Sequence, residues 1–200
     1  MPSHPDHRSV YSAAAAAFDQ SRARNLFEGE WLARFRALMP PRAPVLDLGC
    51  GAGEPIAGHL IRAGHPLVGM DFAAPMLAIA RERLPAAEWL VGDMRALALG
   101  RRFGGIVAWD SFFHLTADEQ RAMFPRFAAH LAPGGALLFT SEPEAGEAMG
   151  AVAGAPVYHA SLSPAEYAGL MQASGLLARA FVAEDPRCAG HSVWLARRVG

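Results

Sequence analysis

The stretch Val45-Leu46-Asp47-Leu48-Gly49-Cys50-Gly51-Ala52-Gly53-Glu54-Pro55 constrains the fold more than any other part of this chain. An apolar run of strand length passes into three alternate glycines and then into a helical pattern. Glycine has no Cβ, so the backbone of such a turn can approach a ligand where a side chain would collide. Two classes of nucleotide site share this signal. The dinucleotide form wants glycine at the sixth motif position, which here is Glu54. A carboxylate at a helix start repels a pyrophosphate, whose binding relies on the positive helix end. A ligand with a cationic centre and no phosphate escapes that repulsion, and S-adenosylmethionine, a sulfonium, is one.

The rest of the chain from Arg42 to Ser141 alternates short apolar runs with helical stretches. Strands are expected at 44–48, 66–70, 88–91, 105–109 and 136–140, with helices at 55–63, 74–84 and 117–131. Runs of this kind are typical of strands buried on both faces, and the alternation implies parallel strands joined by right-handed crossovers. Before them, 13–18 and 26–39 read as helices. After them, 142–156 is a Gly/Ala/Pro-rich stretch with no assignable element, followed by a helix at 163–173. Strands at 176–183 and 192–199 leave no room for a helix between them, so they form an antiparallel hairpin.

Two further strand ends carry acids. Asp71 lies twenty-two residues after Gly49, where a carboxylate can accept hydrogen bonds from both hydroxyls of a ribose, and Phe72 beside it can cover an adenine face. Asp93 ends the third strand, placed to accept from an adenine amino group while the Met94 N–H donates to the ring. The plain alternatives are solubilising acids at strand ends and a core phenylalanine. The joint placement of both acids after the glycine turn favours the ligand reading.

These motifs resemble the class I S-adenosylmethionine-dependent methyltransferase family. The resemblance rests on Asp47-Leu48-Gly49-Cys50-Gly51-Ala52-Gly53, Asp71, Gly92-Asp93-Met94, Ala108-Trp109-Asp110-Ser111 and Pro133-Gly134-Gly135. It implies an α/β, doubly wound, mostly parallel seven-stranded sheet of order 3-2-1-4-5-7-6 with the last strand antiparallel. It also implies one domain over 1–200, with residues 1–41 as a helical cap and 42–200 as the Rossmann-like core. Gly49 and Asp110 then face each other across the switch point. The implied donor site comprises Gly49, Cys50, Gly51, Asp71, Phe72, Asp93, Met94 and Asp110. From the cap, Tyr11 would cover the sulfonium and Arg24 would pair with the methionine carboxylate. An ordinary amphipathic packing role for those cap residues is the other reading.

In this family the acceptor chemistry lies at the end of the fourth strand, here Trp109-Asp110-Ser111-Phe112-Phe113-His114. His114 is the candidate general base, since a neutral imidazole can take a proton near pH 7. A hydrogen-bonded structural histidine is the alternative. His159 and His191 are weaker candidates. Trp109, Phe112, Phe113 and Tyr158 suggest an acceptor with an apolar part. Asp110 with Glu142 makes too poor a ligand set for a metal, so none is expected.

Composition narrows the partners. The chain has 200 residues, 52% of them hydrophobic, and a net charge of -1. Its basic residues are all arginine, with no basic run, so no nucleic-acid partner is expected. Neither a secretory signal nor an apolar span of membrane length appears, and two unspaced cysteines fit a reducing compartment; a cytoplasmic protein with no membrane partner is expected. The expected activity is methyl transfer from S-adenosylmethionine to a small molecule. The rivals are a non-catalytic binder of that cofactor and a nicotinamide-dependent oxidoreductase, the latter opposed by Glu54 and the closing hairpin. The oligomeric state is not readable from the sequence.

Overall fold

The computed structural model describes residues 6–200. Two helices open the chain, α1 (His7–Ser21) and α2 (Gly29–Leu38). The alternating part follows as β1 (Val45–Leu48), α3 (Ile56–Arg62), β2 (Leu67–Asp71), α4 (Ala74–Arg83), β3 (Glu88–Val91), β4 (Phe103–Ala108), α5 (Ala117–His130) and β5 (Leu131–Ser141). Then come β6 (Gly146–Val152), β7 (Ala155–Ser161), α6 (Pro164–Ala173), β8 (Leu176–Asp185) and β9 (His191–Arg198). Seven strands make one sheet in the order β3-β2-β1-β4-β5-β9-β8, parallel except for β9, which runs antiparallel to both neighbours. This is the expected order, with β9 and β8 in the two closing positions.

Strand side chains alternate faces, and here both faces are buried. Leu46, Leu48, Ile106, Ala108, Leu137 and Phe139 join one core with Phe124 and Phe127 of α5 and Tyr167 and Met171 of α6. Val45, Val107, Ala136 and Leu138 turn the other way, onto α2, α3 and α4. There Trp31, Leu32 and Phe35 of α2 are almost completely buried. The two N-terminal helices therefore differ from the expected common cap. α2 is a layer of the core, because its apolar stripe covers the sheet, whereas α1 packs on α4 and β7 and lies over the strand ends.

The stretch 142–156, unassigned from sequence, holds most of a second, two-stranded sheet of β6 and β7. Ala153 and Gly154 turn the chain with φ of 49° and 81°, the positive pair that a tight hairpin turn requires. Gly146-Glu147-Ala148-Met149-Gly150-Ala151 carries almost no β-branched or alternating signal, and most of it is exposed. The hairpin is set by tertiary contacts instead. Val157, Tyr158 and Ala160 are buried, Gln120 Nε2 donates to the Ala160 carbonyl at 2.7 Å, and the Glu142 N–H donates to Ser161 Oγ at 2.8 Å.

No helix among the described residues is long and apolar enough to cross a membrane. Cys50 and Cys188 are both free.

Candidate active site

At the end of β1 the chain turns through Gly49, Gly51 and Gly53, with φ of 72°, 52° and 83°. Gly49 is the tightest point. A Cβ there would lie 2.2 Å from Ser111 Cβ, so the ends of β1 and β4 touch at a spot that admits only glycine. Ser111 Oγ donates to the Leu48 carbonyl at 2.7 Å and ties the two ends together. Asp71, at the tip of β2, braces the turn. Its Oδ2 accepts from the Gly51 N–H at 2.9 Å and its Oδ1 from the Ala73 N–H at 2.8 Å. Each carboxylate oxygen retains an acceptor site, so two ribose hydroxyls can still be served. Burial pushes Asp71 above the usual carboxylate range, opposed by the backbone N–H groups it accepts from. Burial likewise raises Asp47 to about 7, with the Asp71 charge adding to it.

These strand ends floor a narrow cavity of about 90 Å³, walled by Gly49, Cys50, Gly51, Asp71, Phe72, Met94, Asp110 and His114 and roofed by Tyr11, Phe18 and Arg22 of the N-terminal segment. Past Phe72, Met94, Ser111 and His114 it continues into a cavity of about 490 Å³ that Asp93 lines. Ten of the eleven residues expected at the site thus gather around one cleft. Asp93 stands at its far end, where it also caps a short turn through the Arg95 N–H. Arg95 holds its carboxyl below the ordinary range.

Arg24 is the exception. It lines none of these cavities and is paired with Asp19 at 2.7 Å on the exposed side. α1 ends at Ser21, and the extended Arg22 that follows carries the guanidinium into the cleft, ion-paired with the fully buried Glu28. Beside it, Trp109 lines the cavity with its Nε1 buried and unmatched by any acceptor among the described residues. A buried donor left without a partner is costly unless a ligand supplies the acceptor.

A third cavity, of about 550 Å³, opens on the other side of α1. Tyr11, Phe18, Arg22, Asp110 and His114 line both it and the narrow cleft. Its remaining wall comes from Phe113, the end of β5, the hairpin and the turn before β9. The expected aromatic lining is only partly there. The turn at Phe112–His114 rotates Phe112 away from Phe113 and into the core, where it is fully buried, while Trp109 and Tyr158 face the other two cavities.

His114 joins the layers. Its Nδ1 lies 3.0 Å from the Tyr158 carbonyl and its Nε2 2.7 Å from the Tyr11 hydroxyl. A carbonyl only accepts, so Nδ1 carries the proton, and Nε2 accepts from Tyr11. Burial pushes this imidazole down to about 4 and the Tyr11 phenol well up. A base held that low takes few protons at neutral pH, so the environment favours the structural of the two readings of His114.

Asp110 has the opposite company. It sits in the left-handed region, φ 49°, which non-glycine residues adopt at a cost and which clusters at functional sites. Its N–H donates to Thr140 Oγ1 at 2.9 Å. His191 Nε2 lies 3.1 Å from Asp110 Oδ1, while His191 Nδ1 lies 2.8 Å from the Cys188 carbonyl. The imidazole is held against Phe27 and Trp109. Its pKa is raised, chiefly by the hydrogen bond to Asp110. His159, packed on Phe113, is pushed down by burial. Among the described residues no cluster of three or more His, Cys, Asp or Glu side chains is placed to hold a metal.

Sequence reasoning did not find Arg22, the Trp109 donor or the link between His7 and Tyr158, whose N–H donates to His7 Nε2 at 2.9 Å. Arg22 and Arg24 look alike in sequence, and only the end of α1 separates them.

A family model described as a methyltransferase domain matches residues 45–135. The chain is similar to the dTDP-3-amino-3,6-dideoxy-alpha-D-glucopyranose N,N-dimethyltransferase of Streptomyces fradiae, 41% identical over 101 residues, covering 50% of this chain and 39% of that protein. It is also similar to the dTDP-3-amino-3,4,6-trideoxy-alpha-D-glucopyranose N,N-dimethyltransferase of Streptomyces venezuelae, 33% identical over 135 residues, covering 66% and 56%. The matches thus span only about half the length of these relatives. The solved structure of CalS10, an amino pentose methyltransferase from Micromonospora echinaspora, superposes with a TM-score of 0.72 at 24% identity, covering 94% of this chain and 96% of that one. That likeness is one of fold. The matched domain, the sheet order and the glycine turn are all features that this chain shares with class I S-adenosylmethionine-dependent methyltransferases.

Proposed function

We propose that the protein transfers the methyl group of S-adenosylmethionine to a small-molecule acceptor. The observation that carries this reading is the junction of two cavities at Tyr11, Phe18, Arg22, Asp110 and His114. A donor cleft that opens onto an acceptor-sized space, through a few shared residues, is what methyl transfer in line requires and a passive binder has no use for.

The residues present fit the donor. Asp71 offers acceptors to the ribose, Phe72 and Met94 flank the adenine position, and Asp93 stands where the adenine amino group would end. Arg22 and the unmatched Trp109 Nε1 supply donors for the methionine carboxylate. Tyr11 offers its ring near the sulfonium position. When bound, S-adenosylmethionine supplies an activated methyl group, and transfer neutralises its charge. The chain's own work is to hold donor and acceptor in line and to exclude water, which α1 does by roofing the cleft.

Calorimetry tests the donor. S-adenosylhomocysteine should bind at least a hundredfold more tightly than NAD, and equal affinities would overturn the reading. Release of S-adenosylhomocysteine in the presence of pooled metabolites then tests turnover.

A further inference from the structure

Charge within the acceptor cavity is lopsided. Asp110, Glu142 and Glu184 line it. Arg22 is its only arginine among the described residues, and its guanidinium is shared between the completely buried Glu28 and, on the reading above, the carboxylate of the methyl donor. His159, pushed down by burial, adds no charge at neutral pH. The chain contains no lysine to supply another cation. His191, the remaining basic side chain of the lining, is held against Asp110, so a carboxylate or phosphate entering this space meets repulsion without a free partner, whereas a cation meets three carboxylates.

We propose that the acceptor is a small free amine that enters as an ammonium and ion-pairs with Asp110, whose carboxylate is positioned by His191. The proposal rests on the methyl-transfer reading above. It departs from the curated relatives in one respect. Those act on amino sugars joined to dTDP, and nothing lining this cavity would match a diphosphate.

The geometry also provides for the proton. An ammonium has no lone pair with which to attack, so one proton must leave first. Asp110 accepts it and passes it through Oδ2 to His191 Nε2, 3.3 Å away, while His191 Nδ1 keeps its own proton on the Cys188 carbonyl. The freed nitrogen lone pair forms the new N–C bond as the S–C bond breaks, and that electron pair leaves with sulfur. The product is a methylammonium and a neutral thioether, and His191, 24% exposed, returns its proton to water. His191 acts through Asp110 as a positioning and relay residue. Groups acting on its titration are Asp110 at the end of β4, which raises it, and Arg22 beyond α1, which lowers it, with Glu184 at the end of β8 lining the same cavity. Its neutral form is needed, so the rate should rise with pH through its pKa.

The test begins with calorimetric titration of the full chain with S-adenosylhomocysteine; absence of binding overturns the functional reading and this proposal with it. With binding in hand, methyl transfer is measured on 2-phenylethylamine, benzylamine and 3-amino-3-deoxy-D-glucose, on their matched carboxylates and alcohols, and on a dTDP-linked amino sugar. At least one free amine should be methylated tenfold or more faster than every anionic probe. Asp110→Asn, which suits the left-handed backbone, should raise KM for that amine at least tenfold. It should also lower kcat and remove the acidic limb of the pH–rate profile, since no carboxylate is left to pass the proton to His191. His191→Gln should erase that limb and lower kcat, with S-adenosylhomocysteine affinity unchanged. Methylation of a carboxylate or of the dTDP-linked sugar in preference to all free amines would overturn the proposal. So would an unchanged KM in Asp110→Asn, or no methylation of any amine by protein that binds the product cofactor.

Discussion

The Tyr11 hydroxyl donates to His114 Nε2 over 2.7 Å, so a helix at the start of the chain is hydrogen-bonded to the turn that ends the fourth strand. The bond needs a neutral imidazole. Its folded pKa of about 4, against an ordinary 6.5, means that acid protonates His114 in the unfolded chain before the folded one. The associated stability is therefore fully present above pH 6.5 and is lost as pH falls toward 4. Chemical unfolding at pH 7.5 and pH 4 should show wild type losing roughly 3 kcal/mol more than His114→Asn, one unit being about 1.4 kcal/mol. Equal losses would mean that His114 titrates normally. The acidic limb of the pH–rate profile assigned to His191 should persist in this variant.

Gly49 faces Ser111 at a distance that leaves no room for a methyl group. Gly49→Ala should therefore unfold at lower temperature and lose affinity for S-adenosylhomocysteine. Part of the cost is the clash and part is the positive φ. Adding Ser111→Gly removes the first only, so the double variant should recover some stability but not all. Strict additivity in a double-mutant cycle would contradict a direct contact.

Asp71 braces Gly51 and Ala73 in this structure, and on the methyl-transfer reading it also offers acceptors to a ribose. Asp71→Ala should weaken S-adenosylhomocysteine binding by roughly 2–3 kcal/mol, about 30- to 150-fold. It should also lower the melting temperature, because two turn N–H groups lose their acceptor. Weaker binding without any loss of stability would show that the bracing bonds contribute little.

Arg22 and Arg24 make opposite predictions. Arg24→Ala should leave S-adenosylhomocysteine affinity within about twofold, since that side chain points to Asp19 outside the cleft. Arg22→Lys keeps the charge beside Glu28 but loses the planar fork, and should weaken the same binding at least tenfold. The reverse ranking, read by calorimetry, would return the carboxylate contact to Arg24.

The cleft at the ends of β1, β2 and β4 was legible in the sequence because short motifs recur at fixed spacing at strand ends. Gly49, Asp71 and Met94 need only the order of the strands to meet. Arg22 needed more, since the last turn of α1 decides which arginine swings inward. The hairpin of β6 and β7 was illegible because glycine and alanine give no pleated pattern, and Gln120 and Glu142 hold it from outside. The pairing of Asp110 with His191 spans 81 residues and exists only because β9 inserts antiparallel beside β5. No local pattern announces such a meeting.

The family model stops at residue 135, short of the hairpin and of the turn before β9. Those two elements, with α1, wall the larger cavity, while the strand ends floor the cleft. On the methyl-transfer reading, substrate choice then rests on stretches of chain distinct from the strand ends, with the residues of α1 and Arg22 shared between the two cavities. On that same reading, substitutions in 142–161 and 184–192 should redirect what is modified while the strand ends stay untouched. Grafting those two segments between relatives is then the natural route to exchanging their acceptors.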